Sequence, residues 1–145
     1  MQKDIKHVWV LEHPVETVWE YLTDAAQLSK WLMKNDIKPV VGHKFQFHTR
    51  PAIKMGFDGI VYCEVLEIVP YKTISYSWKG GPGQGKITLD SIVTWTLIPM
   101  GNGTELILEH KGFNGLKNFI GYIFMNGGWK NKIRKRFIEL LNSEK

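Results

Sequence analysis

The sequence predicts an α+β fold in which a curved antiparallel sheet wraps around one long C-terminal helix. Short turns join the strand-like segments in the middle of the chain, which is typical of an antiparallel meander. A long helical pattern of apolar residues closes the chain, and the apolar face of such a sheet needs a helix to cover it. Two short helical segments follow the first strand, and this order leaves room for a cavity between the sheet and the last helix.

The first strand and the two short helices are predicted from the N-terminal part of the chain. The segment from His7 to Leu11 is β-branched and aromatic, which favours a strand. Pro14 suits the first position of a helix over 14–22, and Asp24 can cap a second, shorter helix. The apolar residues that we expect to be buried where these helices meet the sheet are Val18, Trp19, Leu22 and Trp31.

Five further strands are predicted between residues 45 and 111. The first of them carries Phe45 and Phe47, and the second runs from Ile60 to Val69 and ends at Pro70. In the third, Ile74, Tyr76 and Trp78 alternate with two serines, which predicts one face in water. The last two run over 87–98 and 105–111. Alternation along these strands predicts an interior face of Ile74, Tyr76, Trp78, Leu89, Val93, Trp95, Leu97, Leu106, Leu108 and His110.

The C-terminal helix is predicted from residue 116 onward, with Trp129, Ile133 and Phe137 on its inner face. Gly127 and Gly128 weaken the helix, so we expect a kink or a break there. The apolar segment over 116–126 is too short to span a bilayer, and we expect it to form a wall or lid over the mouth of the cavity. Peripheral membrane contact by this segment and its basic neighbours stays open as a less favoured alternative.

Length and composition predict a single domain that covers residues 1–145. A hydrophobic fraction of 43% and six tryptophans suit a packed globule. Cys63 is the only cysteine, which excludes an internal disulfide and suits a reducing compartment. The first residues of the chain have no apolar run of the kind that a secretory signal needs. We therefore expect a cytoplasmic protein.

The charged residues and histidines predict neither nucleic-acid binding nor a metal site. The net charge is +5, and a cluster of basic residues lies in the last helix, where a solvated helical face explains it more simply than a nucleic-acid site. No motif of a nucleic-acid-binding fold accompanies the cluster. Five histidines are spread along the chain without the spacing of metal ligands, so we expect no metal and no cofactor.

No catalytic constellation is legible, and the sequence favours a binding protein over an enzyme. The glycine-rich segment over 80–86 approaches a phosphate-binding loop, but a strand follows it where such a loop needs a helix. Cys63 lies in an apolar strand and has no adjacent base. His110 shares the interior face, where it can be either a hydrogen-bonded core histidine or a ligand contact.

A series of short motifs is spaced along nearly the whole chain. They are Pro14, Val18-Trp19, Leu22-Thr23-Asp24, Leu28, Trp31, Gly42-His43-Lys44-Phe45, Val65-Leu66-Glu67-Ile68-Val69-Pro70, Tyr76-Ser77-Trp78, Val93-Thr94-Trp95-Thr96-Leu97, Gly103-Thr104-Glu105-Leu106, His110-Lys111-Gly112-Phe113 and Gly128-Trp129. This series resembles the proteins related to the activator of the heat-shock protein 90 ATPase, within the START-like, Bet v 1-like (SRPBCC) superfamily. The resemblance implies a helix-grip fold with an interior cavity, which different members use for lipids, polyketides or other apolar molecules.

The resemblance leaves three functions open. The first is the binding of a small apolar molecule in the interior, and the second is a chaperone-accessory or protein-interaction role, since the namesake of the family is a co-chaperone. The third and weaker one is a cyclase-like reaction on a bound apolar substrate, with His110 as the acid–base group. The residues that we expect to line a ligand pocket are Tyr76, Trp78, Val93, Trp95, Leu108, His110, Phe124, Trp129 and Ile133.

Overall fold

A computed structural model of the chain describes residues 2–53, 56–83, 86–114 and 125–144. Its strands are β1 (Gln2–Leu11), β2 (Lys34–Asn35), β3 (Lys44–His48), β4 (Ile60–Val69), β5 (Thr73–Gly80), β6 (Leu89–Met100) and β7 (Gly103–Asn114). They form one seven-stranded sheet in the order β1-β7-β6-β5-β4-β3-β2, and every pair of neighbours is antiparallel. β1 therefore crosses the molecule to pair with the last strand, and the rest is a meander.

The helices complete the α+β architecture that the sequence predicts. Helix α1 (Val15–Thr23) and helix α2 (Ala25–Ser29) follow β1, and helix α3 occupies residues 125–143 at the C-terminal end. Within α3, Trp129–Ile133 is π-helical and Arg134–Ser143 is α-helical. The curled sheet holds α3 on its inner side. The predicted helix-grip fold, with two short helices after the first strand, is confirmed.

The expected contact of the short helices with the core is also confirmed. The relative exposure of Val18, Leu22 and Trp31 is 1% or less, and that of Trp19 is 9%. The carboxylate of Asp24 accepts a hydrogen bond from the backbone N–H of Gln27, so Asp24 caps α2 as predicted. These helices close one end of the interior with apolar side chains.

Aromatic stacking fixes the position of α3 against the sheet and the short helices. The ring of Phe137 stacks on that of Trp31, with centroids 4.1 Å apart and an interplanar angle of 12°. About two helical turns earlier, Trp129 meets Trp95 edge-to-face at 5.5 Å. Aromatic pairs of this geometry add about 0.5–1.5 kcal/mol each beyond the area that they bury. The inner face of α3 is thus tied to both ends of the interior.

Two expectations from the sequence are wrong. The helix runs through Gly127 and Gly128 without a break, and the irregularity is instead the π-helical segment that follows. Ser75 and Ser77 do not form a wet face, since both are less than 10% exposed. β5 is the central strand of the sheet, so neighbouring strands flank it on both sides. The predicted lid falls mainly on 115–124, which lies outside the described residues.

A β-bulge at Gly112 sets the orientation of the side chains in the last strand. On β1, Lys3 pairs with Phe113 and the next residue, Asp4, pairs with Lys111, so Gly112 is an extra residue on β7. Its φ of 117° suits glycine, and a Cβ atom there would lie 2.8 Å from the carbonyl oxygen of Asp90. Because of the extra residue, His110 and Phe113 both point into the core.

Candidate functional site: an aromatic interior around a buried histidine

The structure gathers the predicted pocket residues on the inner side of the sheet. Along the register, Tyr76 is paired with Val93, and Val93 is paired with His110. Trp129 on α3 reaches across to Trp78, with ring centroids 5.6 Å apart. The predicted residues that the structure buries there are Tyr76, Trp78, Val93, Trp95, Leu108, His110, Trp129 and Ile133. The ninth predicted residue, Phe124, lies outside the described part of the chain.

The imidazole of His110 is the most polar group of this interior, and both of its nitrogens are hydrogen-bonded. Nδ1 lies 3.2 Å from the indole Nε1 of Trp129, and Nε2 lies 2.8 Å from the hydroxyl of Ser91. The same hydroxyl lies 2.7 Å from the backbone carbonyl oxygen of Trp78. One chain of hydrogen bonds therefore connects α3, β7, β6 and β5.

The donors in this chain determine the tautomer of His110. An indole N–H can only donate, so Nδ1 of His110 must carry a lone pair and accept from Trp129. A carbonyl oxygen can only accept, so the hydroxyl of Ser91 donates to Trp78 and has its lone pairs left for His110. Nε2 then carries the proton and donates to Ser91. His110 is neutral, and every polar group in this series of hydrogen bonds has a partner.

This arrangement makes His110 a structural histidine in the described state. Burial lowers the pKa of His110 to about 3, because a charged imidazole would lose its hydration. No lone pair of the ring is left free for a substrate proton, so the geometry does not support acid–base catalysis by His110. The cyclase-like function consequently has no catalytic group at this position.

A separate hydrogen bond joins Trp95 to Tyr76. The indole Nε1 of Trp95 donates to the phenol oxygen of Tyr76 over 2.9 Å. Burial raises the pKa of the Tyr76 phenol, which therefore keeps its proton. Burial raises the pKa of the Cys63 thiol in the same way, which favours the protonated thiol over the nucleophilic thiolate. These groups are polar atoms in an apolar surround and are not reactive ones.

Among the residues that the structure describes, Trp9 brings a buried donor without a partner to this interior, and sequence reasoning missed it. The side chain is 1% exposed, and its ring lies 5.6 Å from that of Trp95 and 6.3 Å from that of Phe137. Its Nε1 is buried without a hydrogen-bond partner, in contrast to those of Trp31, Trp95 and Trp129. The alternation of Ile5, Trp9 and Leu11 could have placed Trp9 on the inner face.

The π-helical segment of α3 lies where the helix faces this cluster. Trp129 and Ile133, its first and last residues, are both buried, whereas the three residues between them are exposed. π-Helical turns are rare in proteins, and those that occur are often found at functional sites. The wider turn places the indole of Trp129 against His110 while Phe137 keeps its stack on Trp31. The irregular helix geometry is therefore coupled to the polar chain of the interior.

Two open concavities lined by described residues lie outside this interior. One has a volume of about 240 Å³ between the end of β1 and α3, and the other has a volume of about 520 Å³ along the exposed side of α3. Among the described ranges, no three histidine, cysteine or carboxylate side chains come together as a metal site. The described helices include none that is long and apolar enough to cross a bilayer.

Comparisons with known proteins identify the relatives of this architecture. The sequence profile of the family described as Activator of Hsp90 ATPase homolog 1-like protein matches residues 12–142. The crystal structure of protein MLL2253 from Mesorhizobium loti is similar, with 33% identity, a TM-score of 0.86 and 99% of each chain covered. Protein BH1534 from Bacillus halodurans has 26% identity and a TM-score of 0.70 over 95% of this chain and 99% of its own.

A more distant relative carries a functional description. The crystal structure of PFC0360w, an HSP90 activator from Plasmodium falciparum, has 22% identity and a TM-score of 0.74, with 96% of each chain covered. At this level of identity the likeness concerns the fold alone. No curated protein matches the chain.

Proposed function

We infer, from the premise that the chain belongs to the family of Activator of Hsp90 ATPase homolog 1-like proteins, that it binds a small apolar molecule between the sheet and α3. The ligand would carry one hydrogen-bond acceptor on an otherwise apolar body. Its site would be lined by the aromatic residues of β1, β5, β6 and α3. The fold of the family is compatible with such a role, and the residues of the interior indicate the chemistry of the ligand.

The observation that carries this proposal is the unpaired N–H of Trp9. A buried donor without an acceptor costs about 1–3 kcal/mol relative to a paired one, and native proteins rarely leave one. The indoles of Trp31, Trp95 and Trp129 are all paired, so the missing acceptor is specific to the place between Trp9, Trp95 and Phe137. An acceptor supplied by a bound molecule would complete this interior.

The residues around Trp9 favour an apolar body for the ligand. Apart from the paired groups of His110, Ser91 and Tyr76, the inner face is apolar. Burial of about 200 Å² of apolar ligand surface would supply a gross drive of about 5 kcal/mol before ordering costs. Since the described side chains stack closely, we expect α3 or the aromatic rings to move when the ligand enters. A hydrogen bond to Trp9 would then add specificity to a mainly hydrophobic affinity.

The experiment that tests the proposal is a ligand screen on the folded protein. Fatty acids, flavonoids and aromatic polyketides are titrated while tryptophan fluorescence is recorded, and native mass spectrometry of protein from its own cells identifies any bound mass. We expect saturable binding with a stoichiometry of one. A protein that carries no ligand, binds none of these classes and shows an ordered water at Trp9 Nε1 in a crystal would contradict the proposal.

Trp9→Phe is the variant that tests the hydrogen bond, and Trp31→Phe is its matched control. Both positions are fully buried, and both substitutions keep an aromatic ring while they remove an indole N–H. Trp9→Phe should weaken a ligand that bears an acceptor by about 2–13-fold, the effect of one hydrogen bond. It should leave the affinity for an analogue without the acceptor nearly unchanged. Trp31→Phe should not discriminate between the two ligands, because its N–H is bonded to the backbone of Tyr21.

A chaperone-accessory role is the second candidate, and the exposed basic side of α3 favours it together with the family to which the chain belongs. In this role a chaperone ATPase would be the partner. The test is the ATPase rate of the heat-shock protein 90 homologue from the same cell, measured with and without this protein. A rise that saturates with protein concentration would support the role, and an unchanged rate over the same range would contradict it.

A further inference from the structure

The exposed side of α3 carries a cluster of five basic residues that the interior site does not use. They are Lys130, Lys132, Arg134, Lys135 and Arg136, and all five are exposed. The ion pairs recorded in the described part of the chain involve other lysines, namely Lys30, Lys79 and Lys111. We refer to these five residues as the basic face. Within the described ranges, this face has no carboxylate in ion-pair contact.

The spacing of these residues is unfavourable for the helix itself. Lys130 and Arg134 are four residues apart, as are Lys132 and Arg136, and like charges at this spacing destabilise a helix. Two glutamates follow the cluster, and among the described residues Glu139 has no ion pair within 4 Å while Glu144 pairs with Lys30 and not with the basic cluster. Because the repulsion between these residues lowers the stability of the helix, the cluster indicates a function in binding. A negatively charged partner would relieve the repulsion.

The basic face borders a concavity that leads to an apolar crevice. Lys130, Lys132, Arg134 and Lys135 line the concavity of about 520 Å³, together with Asn131, Ile138 and Glu139. Ile138 also lines the crevice of about 240 Å³ between α3 and the end of β1, where Val10, Leu11 and Leu141 supply apolar walls. The two concavities therefore adjoin at Ile138. Val10 is 59% exposed, so part of this apolar wall is open to a partner.

We propose that this surface binds an acidic segment of a partner protein, with carboxylates on the basic face and an apolar side chain at Ile138 and the adjoining crevice. The positive charge of the basic face is complementary to such a segment. Glu12 lies in the crevice and would repel a carboxylate there, which places the apolar residue of the partner at that end. The surface lies outside the core, so its occupation does not depend on an interior ligand. The chaperone-accessory role uses the same side of α3, but an acidic peptide tests this surface without a chaperone.

Other anionic partners fit the surface less well. A membrane-bound amphipathic helix inserts its apolar stripe, but the stripe of α3, which includes Trp129 and Phe137, is buried against the sheet. Single-stranded nucleic acids need exposed aromatic rings for stacking, and the described lining of the concavity contains none. A polypeptide that combines carboxylates with an apolar side chain uses both parts of the surface.

The test uses the full chain and a short fluorescein-labelled peptide of glutamates with one leucine, followed by fluorescence anisotropy. We expect binding that weakens as salt is added. The double variant K130E/R134E should weaken it about tenfold, as expected for the loss of two exposed charge pairs. The matched control K38E/K72E changes the net charge equally on exposed loops elsewhere and should leave the affinity within about twofold. Thermal melts establish that each variant is folded.

The apolar end is tested by a double-mutant cycle between the protein and the peptide. Ile138→Ser should weaken the leucine peptide but not a peptide in which glycine replaces leucine, so the two changes should not be additive. Three results would overturn the proposal: no binding of the leucine peptide at low salt, equal losses in K130E/R134E and K38E/K72E, or additive effects in the cycle. Flotation with vesicles that contain anionic lipid, if it depends on the basic face while the peptide does not bind, would assign the surface to a membrane.

Discussion

At the scale of single residues, the hydrogen bonds of His110 agree with the interpretation of a hydrogen-bonded core histidine, and its role as a ligand contact stays a prediction. Strand alternation placed His110 on the inner face, and the structure finds it there with 0% exposure. Its partners could not be predicted, because Ser91 and Trp129 lie 19 residues away on either side in the sequence and meet it only through the fold. Trp129 donates to one nitrogen and Ser91 accepts from the other. Because both nitrogens are hydrogen-bonded in this way, the imidazole is neutral and its hydrogen bonds join α3 to the sheet.

His110→Gln should change how stability depends on pH. In the folded protein the pKa of His110 is about 3, below the ordinary value of 6.5, so the unfolded chain takes up the proton first as the pH falls. The stability that depends on neutral His110 is complete above about pH 6.5 and is lost from there down to about pH 3, by up to about 1.4 kcal/mol per pH unit. A glutamine can keep both hydrogen bonds and does not titrate. Thermal melts from pH 7 to pH 4.5 should therefore show a steeper fall for the wild type, and parallel curves would refute the assignment.

Trp9→Phe and Trp31→Phe should lower the free energy of unfolding of the unliganded protein by different amounts. Both remove part of a buried indole, but only Trp31 loses a hydrogen bond, the one that it donates to the backbone oxygen of Tyr21 over 3.0 Å. Trp9→Phe also removes an unsatisfied donor. We expect the free energy of unfolding to fall by about 1–3 kcal/mol more in Trp31→Phe. Urea denaturation measures the difference, and equal costs would indicate that Trp9 has an acceptor such as a water molecule.

At the scale of secondary-structure elements, regular periodicity was predictable and irregularity was not. Alternation predicted the inner faces of β5 and β6, and the apolar stripe predicted α1, because each of these elements repeats one backbone geometry. The bulge at Gly112 and the π-helical segment at Trp129–Ile133 break that repeat. Both involve other elements, because the backbone of β6 leaves no room for a side chain at Gly112 and Trp129 donates a hydrogen bond to His110. Sequence periodicity carries no signal for such contacts.

Gly112→Ala should disturb the polar chain of the interior through the backbone. A Cβ atom at this position would lie 2.8 Å from the carbonyl oxygen of Asp90 and 2.9 Å from Cα of Ser91, so β6 and β7 would have to separate beside the bond between Ser91 and His110. The positive φ alone costs an alanine about 1–3 kcal/mol. Gly101→Ala is the control, since its φ is also positive and no atom lies within 4 Å of the added Cβ. Calorimetry should show a clearly lower Tm for Gly112→Ala, and equal losses would mean that β6 accommodates the methyl group.

At the scale of the whole molecule, the linear order of the sheet explains why the fold was predictable and the site only in part. Strands that follow one another in sequence pair along the meander from β2 to β7, with short turns at β4–β5 and β6–β7, and β1 pairs with the edge of β7. This architecture brought eight of the nine predicted pocket residues together. The alternation rule says which side of a strand faces inward but not how closely the rings pack there. Whether the interior binds a ligand therefore depends on the free energy of separating the packed rings.

Ligand binding to the interior should stabilise the whole domain against heat. A molecule that binds only the folded state adds RT ln(1 + [L]/Kd), which is about 2.7 kcal/mol at a concentration one hundred times its Kd. For a domain of this size, this corresponds to a rise in Tm of roughly 5–10 °C. Because α3 and the sheet enclose the proposed site together, the rise should grow with ligand concentration and keep a single transition. In Trp9→Phe the concentration needed for the same rise should be higher for a ligand that bears an acceptor, and a Tm that stays constant with every ligand class would leave the interior as a packed core alone.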